Sequence, residues 1–339
     1  MATTRKKRHR DARPSLPATM RAAAIDRTGP ASALKLHELP LPKMGARDVM
    51  IAVDTAGIGS WEPSQRSGEW SVDDAHFPLV LGADGSGTVV ARGPRVRRLR
   101  VGDKVYAFNF GGSKGGFDAE YVAVSEPSAA RIPRRLDLLH AGASPAVALT
   151  AIQGIDDALH VKRNETVVIV GASGNVGMLA IQFAKRRGAV VVAIASGRNG
   201  TAFARRLGAD VAIDGKRSNI AKALRDYDLA PDGVDKVLGL VGGPALTACI
   251  DAVRPGGRVA YPNGIEPAPR KRRGIAFVSY DAKGGVNEFD RLNRAIGTKP
   301  LTVPIAKQFR LDQAAQAHRM VEKGHVLGRV VLRVAATAR

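Results

Sequence analysis

A chain of 339 residues with 45% apolar content is long enough for two domains of ordinary size, and its single cysteine, Cys249, excludes an internal disulfide framework and any multi-cysteine zinc site. The formal net charge of +21 is unusual, but the basic runs Arg95–Arg100, Arg134-Arg135, Lys185–Arg187 and Arg270–Arg273 are not interleaved with aromatic residues. A nucleic-acid platform is therefore unsupported, and at most non-specific polyanion binding is expected. No apolar run reaches the length of a bilayer span.

Taken in chain order, residues 1–19 read as a disordered basic arm carrying Arg5, Lys6, Lys7, Arg8, Arg10 and Arg13. No apolar stretch follows the charges, so the arm is not a secretory signal. From Met20 the pattern is short strands and Gly/Pro turns: Arg21–Ile25, Leu34–Leu39, Val49–Ala56, the glycine-laden Leu79–Arg92, Val101–Tyr106, the loop Asn109–Phe117, and Ala119–Val124. Short strands at regular spacing with no long helix predict a compact β-barrel-like domain. The alanine-rich stretch His140–Leu159 then has helical periodicity. From Thr166 strands alternate with helices: Val190–Ala195, helix Thr201–Leu207, Val211–Ile213, helix Ile220–Arg225, Val234–Val241, helix Ala245–Val253, Arg258–Tyr261 and Ile275–Ser279. That alternation predicts a doubly wound parallel sheet. Helices at Asn287–Ile296 and Leu311–Glu322 and a strand at Val330–Val334 close the chain. Cys249, inside apolar Ala245–Val253, reads as an inert buried thiol.

The stretch from Thr166 to Gly177, TVVIVGASGNVG, organises the second half. A buried β-branched strand runs into the small-residue turn Gly171-Ala172-Ser173-Gly174-Asn175-Val176-Gly177. A helix over Met178–Arg187 follows and ends before Gly188. Gly174 lets backbone approach a pyrophosphate, Gly177 lets the helix pack on the strand, and the helix N-terminus offers free N–H groups to the anion. The turn has the form A-x-G-x-x-G in its strand-turn-helix context, which predicts dinucleotide binding through Ala172, Ser173, Gly174, Asn175, Val176 and Gly177.

The combined motifs resemble the medium-chain dehydrogenase/reductase superfamily, in its zinc-independent quinone oxidoreductase branch. The matching stretches are LVLGADGSGTVVARG, VGDKVYAF, GGFDAEYVAV, ALTAIQGI, GASGNVG, LGADVAID, RPGGRVA and GHVLGRVVL, in the family's order. The resemblance implies an α/β fold: a GroES-like β domain over residues 20–145, a Rossmann domain over 146–280, and a return to the first domain over 281–339. It also brings the expectation of a cytoplasmic homodimer. Zinc-containing relatives carry a cysteine and a His-Glu pair where this chain has Gly59-Ser60 and Ala83-Asp84, so no zinc is expected. Relatives in the quinone reductase branch often place Asn and Asp in the loop matching Gly57–Glu62. Here that loop holds Gly59 and Glu62, with Trp61 between them, and Trp61, Glu62 and Thr150 are the candidate catalytic residues.

Cofactor choice is read at the end of the second Rossmann strand. Ala195-Ser196-Gly197-Arg198 contains no carboxylate there; Ser196 and Arg198 suit a 2′-phosphate, so NADPH is the expected cofactor. By the resemblance, Thr150 lies near the nicotinamide; Gly242, Pro262, Asn263 and Phe277 line the cofactor's inner end; and Arg329 lies near its phosphates. Phe277, within Ile275–Val278, also reads as a core residue. The expected function is an NADPH-dependent oxidoreductase passing hydride to quinones or α,β-unsaturated carbonyls. The alternatives are an enoyl-thioester reductase, or a catalytically weak, cofactor-bound polyanion-binding protein. Tyr106, Tyr121, Tyr261 and Tyr280 are present, and the sequence places none of them over a substrate.

Overall fold

The computed structural model describes residues 16–70, 76–110, 114–226 and 232–334. Most of the basic arm and part of the Asn109–Phe117 loop lie outside them. The first half holds β1 (Thr19–Ile25), β2 (Lys35–Pro40), β3 (Asp48–Ile58), the short helix α1 (Glu62–Ser67), β4 (Leu79–Val80), β5 (Asp84–Arg92), β6 (Lys104–Phe108), β7 (Tyr121–Ser125) and β8 (Ala129–Arg131). Helix α1 escapes the sequence pattern because EPSQRS has no apolar periodicity. It is set instead by Pro63 in its first turn and by Gly68, whose φ of 88° ends it.

Helices α2 (Leu138–Gly142) and α3 (Pro145–Gln153) replace the single helix expected over His140–Leu159. Pro145 has no N–H to donate back to the preceding turn and sits at the first position of a new helix, so α2 ends and α3 begins there. Past Gln153 the helix widens into one π-type turn, Gly154–Ala158. The alternating part follows: β9 (Thr166–Val170), α4 (Gly177–Arg186), β10 (Val190–Ala195), α5 (Gly197–Arg206), β11 (Val211–Asp214), α6 (Ile220–Asp226), β12 (Val234–Gly239), α7 (Pro244–Asp251), β13 (Val253–Pro262) and β14 (Ala276–Tyr280). Their order in the sheet is β11-β10-β9-β12-β13-β14, and every neighbouring pair is parallel. Strand β9 shows why its residues are apolar on both sides. Val167 and Ile169 pack in one core with α3, α4 and α8 (Val286–Thr298), while Val168 and Val170 pack in another with α6 and α7. Cys249 is buried in that second core, where burial pushes its thiol up to about 12.

The tail adds β15 (Ile305–Arg310), α9 (Ala314–Glu322) and β16 (Arg329–Arg333). Strand β16 pairs antiparallel with β3, and β15 pairs with β16, so the C-terminal residues complete the sheet of the first half. Strand β15 has little signal in its sequence, IAKQFR, because it is a half-exposed edge with no clean alternation. Phe289, Leu292 and Ile296 of α8 are fully buried against α3, each contributing about 1.5–3 kcal/mol.

Gly177 is the tightest point in the Rossmann turn: a Cβ there would lie 2.4 Å from the Gly171 oxygen and 2.7 Å from the Ala172 Cα. Gly177→Ala is expected to push α4 off β9 and destabilise the protein by about 1–3 kcal/mol. A thermal unfolding midpoint equal to that of the parent would show that the turn can relax.

Candidate active site

The turn between β9 and α4 forms an open cradle. Gly174 is exposed, Ser173 and Asn175 are half-buried, and Ala172 is buried beneath them. No side chain caps α4, and the backbone N–H groups of Asn175 and Val176 have no backbone acceptor among the described residues. Uncapped N–H groups at the positive end of a helix dipole make a fitting seat for a pyrophosphate. The cradle abuts the start of α5: the Ser173 hydroxyl lies 3.2 Å from where a Cβ on Gly200 would stand.

Ser196 and Arg198 flank that start and are both exposed. The Ser196 hydroxyl makes no capping bond, and Arg198 makes no ion pair among the described residues. An acid without a local sequence signal reaches this corner from the next strand. The Asp214 carboxylate accepts hydrogen bonds from the backbone N–H groups of Gly197 (2.9 Å) and Lys216 (3.1 Å). These bonds hold its carboxyl below the usual range. Asp214 thereby ties the loop bearing Lys216 to the loop bearing Arg198.

At the inner end, Thr150 on α3 donates its hydroxyl to the Ala146 oxygen at 2.7 Å, which leaves its lone pairs free. Tyr280 donates to the Thr150 carbonyl at 3.0 Å, and the Tyr280 carbonyl receives the N–H of Asn263 at 3.0 Å. Thr150, Pro262 and Asn263 are thus gathered in one corner through Tyr280. Gly242 has no room for a side chain, because a Cβ would meet the Glu266 and Pro267 oxygens at 2.5 Å. Neither Tyr106 nor Tyr280 is a free acid: Tyr106 is buried and donates to Asn293 at 2.6 Å, and burial pushes both phenols up.

Three expected site residues stand elsewhere. Phe277 is half-buried against the second core, on the opposite face of β14 from Val278 and Tyr280, because strand alternation sends successive residues to opposite sides. Arg329 is completely buried, and its guanidinium serves the interior rather than a phosphate. It donates to the Ala143 oxygen (2.8 Å), the Ile58 oxygen (3.1 Å) and Asp84 (3.2 Å). Burial raises Asp84 to about 6 against the pull of Arg329. Glu62 has no solvent exposure, so it does not touch a substrate. One of its oxygens accepts the Gly59 N–H at 3.0 Å, and the other faces His318 and Asp118. Burial and the neighbouring Asp118 hold the Glu62 carboxyl above the usual range, burial does the same for Asp118, and burial lowers His318.

Trp61 lies beside Gly59, whose absent Cβ leaves space for the indole. Its ring is 6.0 Å from Phe110, and Phe110 is 5.2 Å from Trp70 and 6.2 Å from Phe108. Phe108 in turn lies against Gly284, on the segment leaving β14. The aromatic group therefore stands where the two domains meet, with Phe110 and Trp70 exposed. Of these four, the sequence singles out Trp61 alone; aromatic residues 47 positions apart, Trp61 and Phe108, carry no local signal of their proximity.

A metal ion at the place where zinc relatives hold theirs does not fit this chain. Gly59 and Ala83 offer no ligand atom, and Asp84 is committed to Arg329 and to the Ala146 N–H at 2.9 Å.

The fold and site define a two-domain, dinucleotide-dependent dehydrogenase/reductase. Residues 45–134 match the alcohol dehydrogenase GroES-like domain, and residues 207–332 match the zinc-binding dehydrogenase domain. The structure of the quinone oxidoreductase from Coxiella burnetii is 30% identical, with a TM-score of 0.83, and the match covers 93% of this chain and 99% of that one. A mycobacterial protein solved with NADPH is 25% identical with a TM-score of 0.82, covering 93% of this chain and all of that one, 100%. The chloroplastic NADPH-dependent alkenal/one oxidoreductase of Arabidopsis thaliana is 29% identical over 325 residues, 94% of this chain and 80% of the relative. The chain belongs to the medium-chain dehydrogenase/reductase superfamily, in its quinone oxidoreductase branch.

The Glu62 cluster makes stability depend on pH with a definite sign. A carboxyl held protonated in the folded state stabilises fully below its ordinary value of 4.5. That contribution is lost as pH rises, because the unfolded chain gives up the proton first. His318 acts in the opposite sense below its ordinary value of 6.5, and losing the Glu62 charge, which favours its protonated form, lowers it further in the variant. Glu62→Gln keeps the size and removes the proton, so its melting temperature is expected to gain on the parent between about pH 5 and about pH 8, by roughly 2–4 °C per kcal/mol. A difference independent of pH would mean that Glu62 is ionised throughout.

Proposed function

We propose that the protein is an NADPH-dependent, zinc-independent reductase that passes hydride to quinones or α,β-unsaturated carbonyls. The cofactor supplies the hydride from its nicotinamide ring. The N–H groups at the start of α4 hold its pyrophosphate, and Ser196 and Arg198 hold its 2′-phosphate. Thr150, fixed by Tyr280 and Ala146, sets the depth of the nicotinamide end. The observation that carries the cofactor half is Arg198: exposed and unpaired among the described residues, at the strand end where the ribose must lie.

The acceptor half rests on the aromatic group. Trp61, Phe108, Phe110 and Trp70 offer flat apolar faces, which suit a planar acceptor and exclude water beside the transfer. Tyr106 and Tyr280 have their hydroxyls committed. A quinone fits this arrangement because the hydroquinone anion formed by hydride addition takes its proton from water. The relatives named for alkenal and quinone reduction support the same reading. An acryloyl-coenzyme A reductase from Sulfurisphaera tokodaii, 24% identical, keeps the thioester alternative in the assay. NADPH oxidation measured against quinones, alkenals and crotonyl thioesters decides among them; turnover confined to thioesters would overturn quinone and enone reduction in favour of the enoyl-thioester reaction.

Two outcomes are expected of the purified protein. Activity should survive a strong chelator, since Gly59 and Ala83 provide no zinc ligand; loss on chelation with recovery on adding zinc would overturn the metal-free mechanism. Arg198→Ala should raise the NADPH dissociation constant roughly 10–100-fold, the worth of a hydrogen bond to a charged group, while NADH binding stays level. Ser196→Asp should reverse the preference, because a carboxylate there repels the phosphate. Equal losses with both cofactors would assign Arg198 a structural role.

A further inference from the structure

We propose that Glu62, Asp118 and His318 enclose one internal water molecule, which accepts a hydrogen bond from His318 and bridges it to both carboxyl groups. All three residues are completely buried, on three elements distant in sequence: α1, the segment before β7, and α9. Four of their polar atoms have no partner among the described residues: Glu62 Oε2, Asp118 Oδ1, Asp118 Oδ2 and His318 Nε2. One atom from each residue lies within 4.8 Å of the others. His318 Nε2 stands 3.7 Å from Glu62 and 3.8 Å from Asp118, too far for direct bonds and suited to a single bridging atom.

The identity of that atom follows from the other side of the imidazole. Arg66 Nη1 lies 3.2 Å from His318 Nδ1. A guanidinium can only donate, so Nδ1 accepts and the ring hydrogen of neutral His318 sits on Nε2. The guanidinium cannot turn away freely, because it also binds Glu322 and the Gly29 oxygen. The missing partner must therefore accept from His318 and exchange hydrogen bonds with the two carboxyl groups, accepting from a protonated one and donating to an ionised one. A divalent cation would need the Nε2 lone pair, which is occupied, and an ammonium ion could not accept. Water meets the requirement, and three bonds is the usual complement of an internal water. The water joins α9 to α1 directly behind Trp61, so the tail of the chain steadies the aromatic wall of the cleft.

The test uses the full-length protein. A high-resolution crystal structure should show a peak about 2.6–3.2 Å from Glu62 Oε2, Asp118 and His318 Nε2, without anomalous signal. The imidazole nitrogen resonances of His318 should report the Nε2–H form, and elemental analysis should find no stoichiometric metal. Glu62→Gln, which keeps an amide able to bond water, should retain the peak, whereas a metal would be lost with its carboxylate. A peak about 2.0–2.2 Å away with anomalous scattering, an Nδ1–H imidazole, or carboxyl groups in direct contact with no density between them would each overturn the proposal.

Discussion

The buried ion pair between Asp84 and Arg329 is the constraint around which the two ends of the chain meet. Asp84 opens β5 and Arg329 opens β16, 245 positions later, and neither has any solvent exposure. A charge cannot be left alone at such a place, so each of the two requires the other, and they meet where β16 lies in the sheet of the first half beside β3. The requirement reaches the sequence at Gly57, where a Cβ would sit 2.3 Å from the guanidinium. Ala143 and Ile58 lend their carbonyls to the same arginine, which fixes the end of α2 and the entry to the Gly59–Trp61 loop. The acceptor side of the cleft is therefore held by a charge pair, and α9 returns along with it to cover Glu62.

The cofactor side follows a different logic. Its groups stand at the ends of parallel strands, where the sheet leaves backbone N–H groups and loop side chains facing outward. The large excess of basic residues leaves cations such as Arg198 without acidic partners among the described residues, whereas pairs such as Arg187 with Asp156 and Arg291 with Asp157 fasten the π-type turn to α4 and α8. Such half-exposed pairs contribute about 0–1 kcal/mol each, so they orient elements more than they stabilise them. An unpaired arginine at a strand end is more informative than any of them.

Between the two sides, Trp61 and Glu62 are adjacent in sequence and opposite in fate. The tryptophan joins an aromatic group open to the cleft, and the glutamate turns inward to a fully buried cluster of acid and imidazole. In the sequence both are candidates for the chemistry because they fall in one loop. The turn into α1 separates them: one residue caps the helix and the next begins it.

The sequence by itself determined what depends on neighbours along the chain. The β-branched run of β9, the small-residue turn and the periodicity of α4 specify the cradle proposed for the pyrophosphate, and Ser196 and Arg198 follow from their place after β10. The glycine and alanine at the zinc positions are equally plain. Tertiary structure decided whatever depends on residues far apart in sequence. Arg329 lies in the core rather than at a phosphate because Asp84 stands opposite it, and Phe277 turns toward the second core because the register of β14 on β13 sets which side each residue takes. Asp118, His318 and Arg66 around Glu62 have no local signature, since a buried polar group is defined by partners that the fold brings from distant elements.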